Sequence, residues 1–336
     1  MSTPLVTGYA AREKGFPLEP FDYPPPMLGG NDVRVAFTHC GVCHTDIQAI
    51  DDYYGITTFP FVPGHEIVGH ISEVGEGVQG LQVGDLVGIG WQGRSCGTCE
   101  WCQKGETQLC LHIEDTTVMV PYGGFSTSVV ADYRFVYPLP PGLPSAHAAV
   151  LMCAGLTVYS ALQRHIPKPG LHVGILGIGG LGHLAIQFAH AMGCHVTALS
   201  SSPEKESQAL ALGADRFVLS SDLPAMRGLY YSLDLILSTA NGGIPWSPLM
   251  MSLKKRGTLV LLGFPDLEFN STNLVAHELS ITGSLLGNPA RMRDMLAFAG
   301  QHAITPMLET MPMAQVNEAI LRVKENKARY RIVLVN

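Results

Sequence analysis

Residues 172–192 read HVGILGIGGLGHLAIQFAHAM. The apolar run 172–176 is typical of a buried strand, and the run that starts at residue 182 is typical of a helix. Between them, Gly177-Ile178-Gly179-Gly180-Leu181-Gly182 fits the pattern G-x-G-x-x-G, which is weak by itself because the chain has 37 glycines. Between a strand and a helix, however, such glycines let the backbone turn tightly and approach a pyrophosphate, which the helix N-terminus attracts. The stretch therefore predicts a dinucleotide site, and the alternative is a glycine-rich turn in another α/β protein.

Strands and helices alternate around this stretch, which predicts βαβ units and a parallel sheet. Further strands are expected at 195–199, 216–219, 233–237 and 258–262, and helices at 145–162, with Ser145 as N-cap, 182–192 and 203–212. Residues 1–145 are instead rich in Gly and Pro between short apolar runs, at 32–38, 67–74, 85–89 and 126–130. Frequent turn signals between short strands predict a β-rich domain there. Helices at 288–301 and 313–326 and a strand at 332–335 are expected to end the chain.

The end of the second expected strand bears on the choice of cofactor. A site selective for NAD has Asp or Glu there to bind the ribose 2′-hydroxyl. This chain has Ser200-Ser201-Ser202-Pro203-Glu204-Lys205, with no carboxylate at the strand end. Small hydroxyls and a lysine would accept and neutralise a 2′-phosphate, which favours NADP(H). A helix cap at Ser202-Pro203 is the alternative, and it is compatible with phosphate binding.

The bulk composition excludes several classes of function. The chain has 336 residues, 46% hydrophobic and 15% charged, which suits a globular protein of two domains. The formal net charge is -7 and no Lys/Arg cluster occurs, so neither nucleic acid nor a membrane is an expected partner. The N-terminal residues show no apolar core of signal-peptide length, which predicts a cytoplasmic protein with reduced cysteines.

Four of the eight cysteines occur in one short stretch, with the spacing Cys96-x2-Cys99-x2-Cys102-x7-Cys110. Thiolates at this spacing in a reduced compartment point to a tetrahedral zinc site. Four protein ligands leave no open position, so this zinc is expected to be structural. Four buried free cysteines are the alternative.

Other potential ligands are dispersed along the chain. Cys40 and Cys43 precede His44-Thr45-Asp46, His65-Glu66 follows a Pro-Gly turn, and Cys153 lies in the expected helix 145–162. A Cys-His-Cys set with water in the fourth position would be an open, catalytic zinc site. Spacing alone does not decide between Cys40 and Cys43. His65 by itself could also be a satisfied core histidine.

Taken together, these features resemble the zinc-dependent medium-chain alcohol dehydrogenases, in particular the cinnamyl alcohol dehydrogenase and NADPH-dependent aldehyde reductase branch. The resemblance extends nearly from end to end, and its motifs are CGVCHTD (40–46), VPGHEIVG (62–69), VGDLVGIGW (83–91), the four-cysteine stretch, LMCAGLTVY (151–159), GILGIGGLGH (174–183), AMGCHVT (191–197), ITGS (281–284) and KARYR (327–331).

The resemblance implies a role for each dispersed ligand. In the family motif the ligand cysteine precedes the Ser/Thr by two residues, which selects Cys43, with His65 and Cys153 as the other zinc ligands. Glu66 would stand beside the metal and orient or exchange with its water. Asp46 would support His65 through the second ring nitrogen. Thr45 would pass a proton to the alcohol oxygen.

The family also implies cofactor contacts and a domain plan. His44 and Arg331 would approach the pyrophosphate, Thr157 the nicotinamide, and Ser284 and Leu285 the nicotinamide and substrate channel. A β-rich GroES-like catalytic domain, residues 1–145 and 288–336, would be interrupted by a Rossmann NADP-binding domain of doubly wound parallel sheet, residues 146–287. A homodimer joined through the Rossmann domains is implied as well.

The expected activity is reduction of aldehydes to primary alcohols, and the reverse, by hydride transfer from NADPH with two Zn²⁺ per chain. Tyr54, Trp91 and Leu285 would line the substrate pocket and suggest an apolar aldehyde, although Tyr54 and Trp91 could be ordinary core aromatics. Where the family often has a histidine that ends the proton relay, this chain has Gln48, which cannot take up a proton near neutral pH.

Two alternatives remain open from the sequence. One is a quinone or enoyl reductase of the same fold, which would lack the Cys-His-Cys set. The other is a non-catalytic nucleotide-binding protein on the same fold, because fold alone does not exclude lost activity.

Overall fold

The computed structural model describes residues 5–15, 17–116 and 122–336. The chain forms two compact units. The first comprises Met1–Cys153, Gly287–Gln301 and Pro306–Asn336, and the second comprises Ala154–Leu286 and His302–Thr305. The first division falls later in the chain than the expected boundary at residue 145, because helix 145–150 packs against strands of the first unit.

The elements of the first 150 residues are mostly short strands. The strands are β1 (Val6–Ala10), β2 (Glu19–Tyr23), β3 (Asp32–Val42), β4 (Glu66–Val74), β5 (Leu86–Ile89), β6 (Gln92–Arg94), β7 (Glu114–Asp115), β8 (Ser128–Asp132) and β9 (Val136–Pro138). The helices are α1 (His44–Ile50), α2 (Glu100–Gln103) and α3 (Ser145–Val150).

The middle of the chain alternates between strands and helices. The strands are β10 (His172–Leu176), β11 (His195–Ser200), β12 (Arg216–Leu219), β13 (Leu233–Ser238), β14 (Leu253–Leu261) and β15 (Ser280–Gly283). The helices are α4 (Leu156–His165), α5 (Gly182–Ala191), α6 (Glu206–Ala211), α7 (Leu223–Arg227), α8 (Trp246–Ser252) and α9 (Thr272–Ala276). The chain ends with α10 (Pro289–Gln301), β16 (Leu308–Pro312), α11 (Val316–Lys324) and β17 (Arg331–Val335).

The first unit is built on a sheet in the order β16-β17-β3-β4-β5-β9, with β8 also paired to β3. Except for the parallel pair β16–β17, neighbouring strands are antiparallel. Alternate residues of β3, such as Val33 and Val35, are fully buried in the apolar core. The β-rich prediction for this region is therefore confirmed, and β17 shows how the end of the chain returns to it.

The second unit contains a six-stranded sheet in the order β12-β11-β10-β13-β14-β15, and every pair of neighbours is parallel. Numbered within this unit, the order is 3-2-1-4-5-6, that of the doubly wound dinucleotide-binding fold. The order reverses between β10 and β13, and nucleotides bind in such sheets at the carboxyl ends of the strands beside this reversal. The glycine-rich loop follows β10 at this position.

Several predicted helices begin or continue differently from expectation. The N-cap of α3 is Pro144 rather than Ser145, because Pro144 has the extended backbone of a cap (φ -61°, ψ 138°). The expected helix 145–162 contains a π-helical segment, Leu151–Gly155, between α3 and α4. The expected helices 203–212 and 313–326 both begin as 3-10 turns, Pro203–Lys205 and Met313–Gln315, before α6 and α11.

The stretch Ser145–His165 is long and apolar enough to cross a membrane by length and composition. Within the protein, 83% of its most apolar window is buried, which is typical of a helix in the core of a globular protein.

Candidate metal centres and nucleotide loop

Four potential metal ligands that are far apart in the sequence meet in the first unit. The ligand atoms of Cys43, His65, Glu66 and Cys153 all lie within 4.8 Å of one another, and all four residues are buried. Cys40 is not in this group. It lies in β3, and its thiol is within 3.7 Å of the backbone oxygen of Gly41. The structure therefore brings Cys43 rather than Cys40 to the cluster, as the family motif implied.

The fully buried Asp46 positions two members of the cluster. Its Oδ2 accepts a hydrogen bond from the backbone N–H of Cys43 at 2.9 Å, which fixes the start of α1. Its Oδ1 lies 2.8 Å from Nδ1 of His65 and also accepts from the backbone N–H of Gly64 at 3.1 Å. Because Asp46 engages Nδ1, the other ring nitrogen of His65 remains for a metal. Gly64 has φ +105°, a conformation that favours glycine in this turn.

The members of the buried cluster shift one another's pKa. The hydrogen bond with Cys153 and the charge of Arg331 lower the pKa of Cys43 against the effect of burial, while the same hydrogen bond and burial raise the pKa of Cys153. Burial raises the pKa of Glu66 to about 8, although Arg331 opposes this. Burial disfavours protonated His65, but the Asp46 carboxylate outweighs it and raises the pKa of this histidine. Without a metal, the cluster therefore retains protons that a divalent cation would displace.

Arg331 lies at this cluster, and its expected approach to a pyrophosphate stays a prediction. It is 6% exposed, its Nη2 donates to Oε1 of Glu66, and its Nη1 lies 4.0 Å from the sulfur of Cys43. The reason is electrostatic, because a buried carboxylate requires a partner and the guanidinium provides one. Within the described residues, Oε2 of Glu66 has no hydrogen-bond partner. An orphaned buried carboxylate oxygen suits a site for a cation.

The second cluster occupies the connection between β6 and β7. Its members are Cys96, Cys99, Cys102 and Cys110, whose ligand atoms also lie within 4.8 Å of one another. The sulfur of Cys96 is 3.5 Å from that of Cys110 and 3.9 Å from that of Cys102. All eight cysteines lie in the described ranges, and none forms a disulfide.

The glycine-rich loop in the second unit has the geometry that a dinucleotide needs. Gly177 has φ +88°. A Cβ at Gly182 would lie 1.8 Å from the carbonyl oxygen of Gly177, so only glycine permits the loop and α5 to pack this closely. At Gly179, no heavy atom of the described residues would lie within 4 Å of a Cβ, which leaves room for a ligand beside the backbone. Gly180 and Leu181 are partly exposed in the same turn.

The hydroxyls of the serine-rich segment after β11 differ in their accessibility. Ser200 is 4% exposed, and its Oγ accepts the backbone N–H of Ser202 at 3.1 Å, so this hydroxyl is used inside the turn. Ser201 is exposed and Ser202 is partly exposed, and Ser202 caps its helical turn without a side-chain hydrogen bond. Lys205 donates from Nζ to the carbonyl oxygen of Ile178 at 2.7 Å. The ammonium group is thus fixed beside the glycine-rich loop.

The remaining residues expected at a site have the following surroundings. In the first unit, His44 is exposed, the hydroxyl of Thr45 lies 3.6 Å from the sulfur of Cys43, Tyr54 is 36% exposed and Trp91 is partly exposed. In the second unit, Thr157 is 8% exposed, Leu285 is 44% exposed and Ser284 is partly buried. Tyr54 and Trp91 are therefore not fully buried core aromatics.

Two contacts escaped the sequence analysis. Tyr54 donates a hydrogen bond from its hydroxyl to Oε1 of Gln48 at 2.9 Å. Thr239, just after β13, donates from its hydroxyl to the carbonyl oxygen of Gly177 at 3.0 Å and so supports the glycine-rich loop. No sequence pattern predicts a hydrogen bond between residues six positions apart, such as Gln48 and Tyr54. The contact of Thr239 could have been suspected from the fold, because a hydroxyl residue directly after β13 lies close to the glycine-rich loop.

The comparisons with known proteins agree with this architecture. Residues 29–141 match the alcohol dehydrogenase GroES-like domain, and residues 180–301 match the zinc-binding dehydrogenase domain. The aldehyde reductase AdhA of Synechocystis sp. is 40% identical over 332 residues, 98% of each chain. A cinnamyl alcohol dehydrogenase from Sorghum bicolor superposes with a TM-score of 0.93 at 38% identity, covering 98% of this chain and 97% of that one. The structure of such an enzyme from Helicobacter pylori complexed with NADP(H) gives 0.91 at 29% identity, covering 99% and 98%.

Proposed function

The chain belongs to the zinc-dependent alcohol dehydrogenase family, whose members interconvert aldehydes and alcohols, and from this premise we propose that it is an NADPH-dependent aldehyde reductase with two zinc sites. The observation that carries the proposal is the meeting of Cys43, His65, Glu66 and Cys153 in one buried cluster. Relatives that share its full length are named as enzymes, and this ligand set is intact, so a non-catalytic protein is not favoured.

In this proposal the two clusters hold different kinds of zinc. Cys43, His65 and Cys153 would be the permanent ligands of the catalytic ion, with Glu66 able to approach it. The donor set fits because two thiolates and one imidazole leave a fourth position open, as in alcohol dehydrogenases. Four thiolates, from Cys96, Cys99, Cys102 and Cys110, would close the structural site.

When bound, zinc supplies a Lewis acid for the carbonyl oxygen and NADPH supplies the hydride. The residues of the chain orient the metal ligands and supply the proton. Asp46 holds His65 in the tautomer that can bind a metal. The hydroxyl of Thr45, which lies 3.6 Å from the sulfur of Cys43, would donate a proton to the product oxygen. Arg331 pairs with Glu66 and so restrains this carboxylate.

The nucleotide would be bound by the glycine-rich loop, with the pyrophosphate at the N-terminus of α5. The choice of NADPH is supported by the surroundings of the segment after β11, where Ser201 and Ser202 offer hydroxyls and Lys205 a positive charge. The Helicobacter pylori relative was solved with NADP(H). The proposed further cofactor contacts are His44, Thr157, Ser284, Leu285 and Arg331.

We also propose a homodimer through the second unit. Its sheet ends at the edge strand β15, and the segments near this edge expose Phe264, Leu267 and Val275. An open sheet edge with exposed apolar side chains is a common basis for self-association. Analytical ultracentrifugation of the wild type and of Val275→Asp would test it, with a dimer expected for the wild type and a shift toward monomer in the variant. A location in the cytoplasm likewise remains a proposal.

Steady-state reduction of an aldehyde panel with NADPH and NADH in parallel tests the main proposal. We expect turnover with a clear preference for NADPH. Lys205→Ala should reduce this preference about 10- to 100-fold, because a charge-assisted hydrogen bond to phosphate is lost. Lys255→Ala, which removes an exposed lysine elsewhere in the same unit, should leave it unchanged. Equal use of NADH by the wild type would reject the cofactor assignment, and the absence of any turnover by zinc-loaded protein would reject the enzyme.

A further inference from the structure

The pair formed by Gln48 and Tyr54 has no role in the function proposed so far. The carboxamide oxygen of Gln48 accepts the hydrogen bond of the Tyr54 hydroxyl at 2.9 Å. Gln48 lies three residues after Thr45 on α1, and residues at this spacing occupy the same face of a helix. Thr45 in turn lies beside Cys43. The pair is therefore on the side of α1 that carries the proposed proton donor.

Tyr54 lies in a partly buried environment. Burial raises the pKa of its phenol, and the charges of Cys43, Tyr53 and Asp115 raise it further. At 36% exposure, Tyr54 itself remains accessible to a ligand.

The hydrogen-bond capacities of these groups define what they would recognise. A phenol has a single O–H. Because Tyr54 donates it to Gln48, the phenol oxygen can only accept a hydrogen bond from a ligand. A wall whose accessible polar atom is an acceptor favours a ligand group that donates. In an aldehyde or alcohol substrate, that donor is a further hydroxyl.

We propose that Tyr54, held by Gln48, selects aldehydes that carry an additional hydroxyl group over unsubstituted aldehydes of the same chain length. The inference rests on the proposed reductase activity and deepens it. It also changes the apolar pocket expected from Tyr54 and Trp91, because the phenol presents its oxygen rather than only its ring. A hydrogen bond formed equally in the bound substrate and in the transition state acts mainly on KM.

The test compares kcat/KM for glyceraldehyde and for propanal, with NADPH, in the wild type and in Tyr54→Phe. We expect the glyceraldehyde-to-propanal ratio to fall about 3- to 10-fold in the variant, mainly through KM for glyceraldehyde. Hydration of each aldehyde in water belongs to the substrate and cancels when the same ratio is compared between variants. Tyr53→Phe is the matched control. It removes the same atom from the adjacent, 64% exposed tyrosine and should keep the wild-type ratio.

Gln48→Met provides a second, independent arm. Without its acceptor the phenol is no longer fixed, so the ratio should fall in this variant too. The double variant Gln48→Met/Tyr54→Phe should show no further decrease beyond Tyr54→Phe, because Gln48 acts on selectivity through the phenol. A ratio that Tyr54→Phe leaves unchanged, or that Tyr53→Phe lowers equally, would overturn the inference while leaving the reductase activity intact. Failure of the wild type to reduce either aldehyde would overturn the proposed function and the inference with it.

Discussion

The first unit contains two clusters of potential metal ligands, and they are built in opposite ways. The four cysteines at 96–110 come from one connection between two short strands, and three of them are partly exposed. The cluster of Cys43, His65, Glu66 and Cys153 is gathered from distant parts of the chain and is fully buried.

The groups that support the two clusters differ as well. Around the four cysteines, backbone N–H groups point at sulfur, for example from Cys99 to Cys96 at 3.4 Å and from His112 to Cys110 at 3.3 Å. Around the buried cluster the support comes from the side chains of Asp46 and Arg331. A site supported by its own backbone can stabilise a loop without any other part of the protein. A site supported by side chains can be tuned residue by residue, which is what catalysis requires.

The largest expected effect is the loss of catalysis in Cys43→Ser. Removing one ligand from a set of three should lower the zinc content from two to one per chain and reduce turnover by about 10³-fold or more. Metal analysis and steady-state kinetics on the same preparation measure both. Cys40→Ala is the matched control, since it removes a buried thiol three residues away that is not in the cluster, and it should retain two zinc ions.

A change in the four-cysteine cluster should lower the stability of the protein rather than its turnover. We expect Cys99→Ser also to lose one zinc per chain and to unfold at a lower temperature, because the metal holds the connection together. The protein that remains folded should keep its kcat, since the buried cluster does not depend on this loop for its ligands. If Cys99→Ser lost turnover as completely as Cys43→Ser, the division between a structural and a catalytic site would be wrong.

Asp46→Asn should have an intermediate effect. The substitution keeps the shape of the side chain but removes the charge that orients His65, and such changes typically cost about 10- to 100-fold in metal affinity or activity. Zinc affinity measured by competition with a chelator, together with kcat, reports on both. Asp51→Asn, at a surface ion pair with Lys324, is the control and should change neither. An Asp46→Asn protein that matches the wild type would mean that His65 needs no orientation.

The smallest effect concerns reactivity within the four-cysteine cluster after zinc is removed. Backbone N–H groups of Thr98 and Cys99 lower the pKa of Cys96 to about 5, whereas burial raises the pKa of Cys102 to about 11. At pH 6, above the first value and below the second, Cys96 should react as a thiolate while Cys102 stays a thiol, so iodoacetamide should modify Cys96 before Cys102. Peptide mass spectrometry of chelator-treated protein measures the order in which the cysteines are modified. Earlier modification of Cys102 would contradict it.

The sequence predicted a region well where its structure depends on neighbouring residues, and poorly where it depends on residues far away in the chain. The bounds of β10 and the loop Gly177–Gly182 depend on neighbouring residues and were predicted correctly. The four-cysteine cluster was also evident from its spacing alone. The choice between Cys40 and Cys43 was different, because it depends on which thiol faces His65 and Cys153 across the fold, and only the family motif resolved it.

The contacts that the sequence did not predict have the same explanation. Arg331 pairs with Glu66, which lies 265 positions away, and no local pattern reports such a contact. Ser200 is 4% exposed at the end of β11 and accepts the backbone N–H of Ser202 within its own turn, a contact that residue type alone does not report. The contact of Gln48 with Tyr54 depends on the path of the chain after α1, which propensities do not fix.

Electronic absorption of the protein with both zinc ions replaced by cobalt tests the contrast between the two sites most directly. Cobalt in an open site changes its visible spectrum when an alcohol or aldehyde enters the coordination sphere, whereas cobalt enclosed by four thiolates does not. We predict that substrate shifts the spectrum of the wild type and of Cys99→Ser but not that of Cys43→Ser. A substrate-induced shift that persists in Cys43→Ser and disappears in Cys99→Ser would contradict the account, because it would place the open site in the four-cysteine connection.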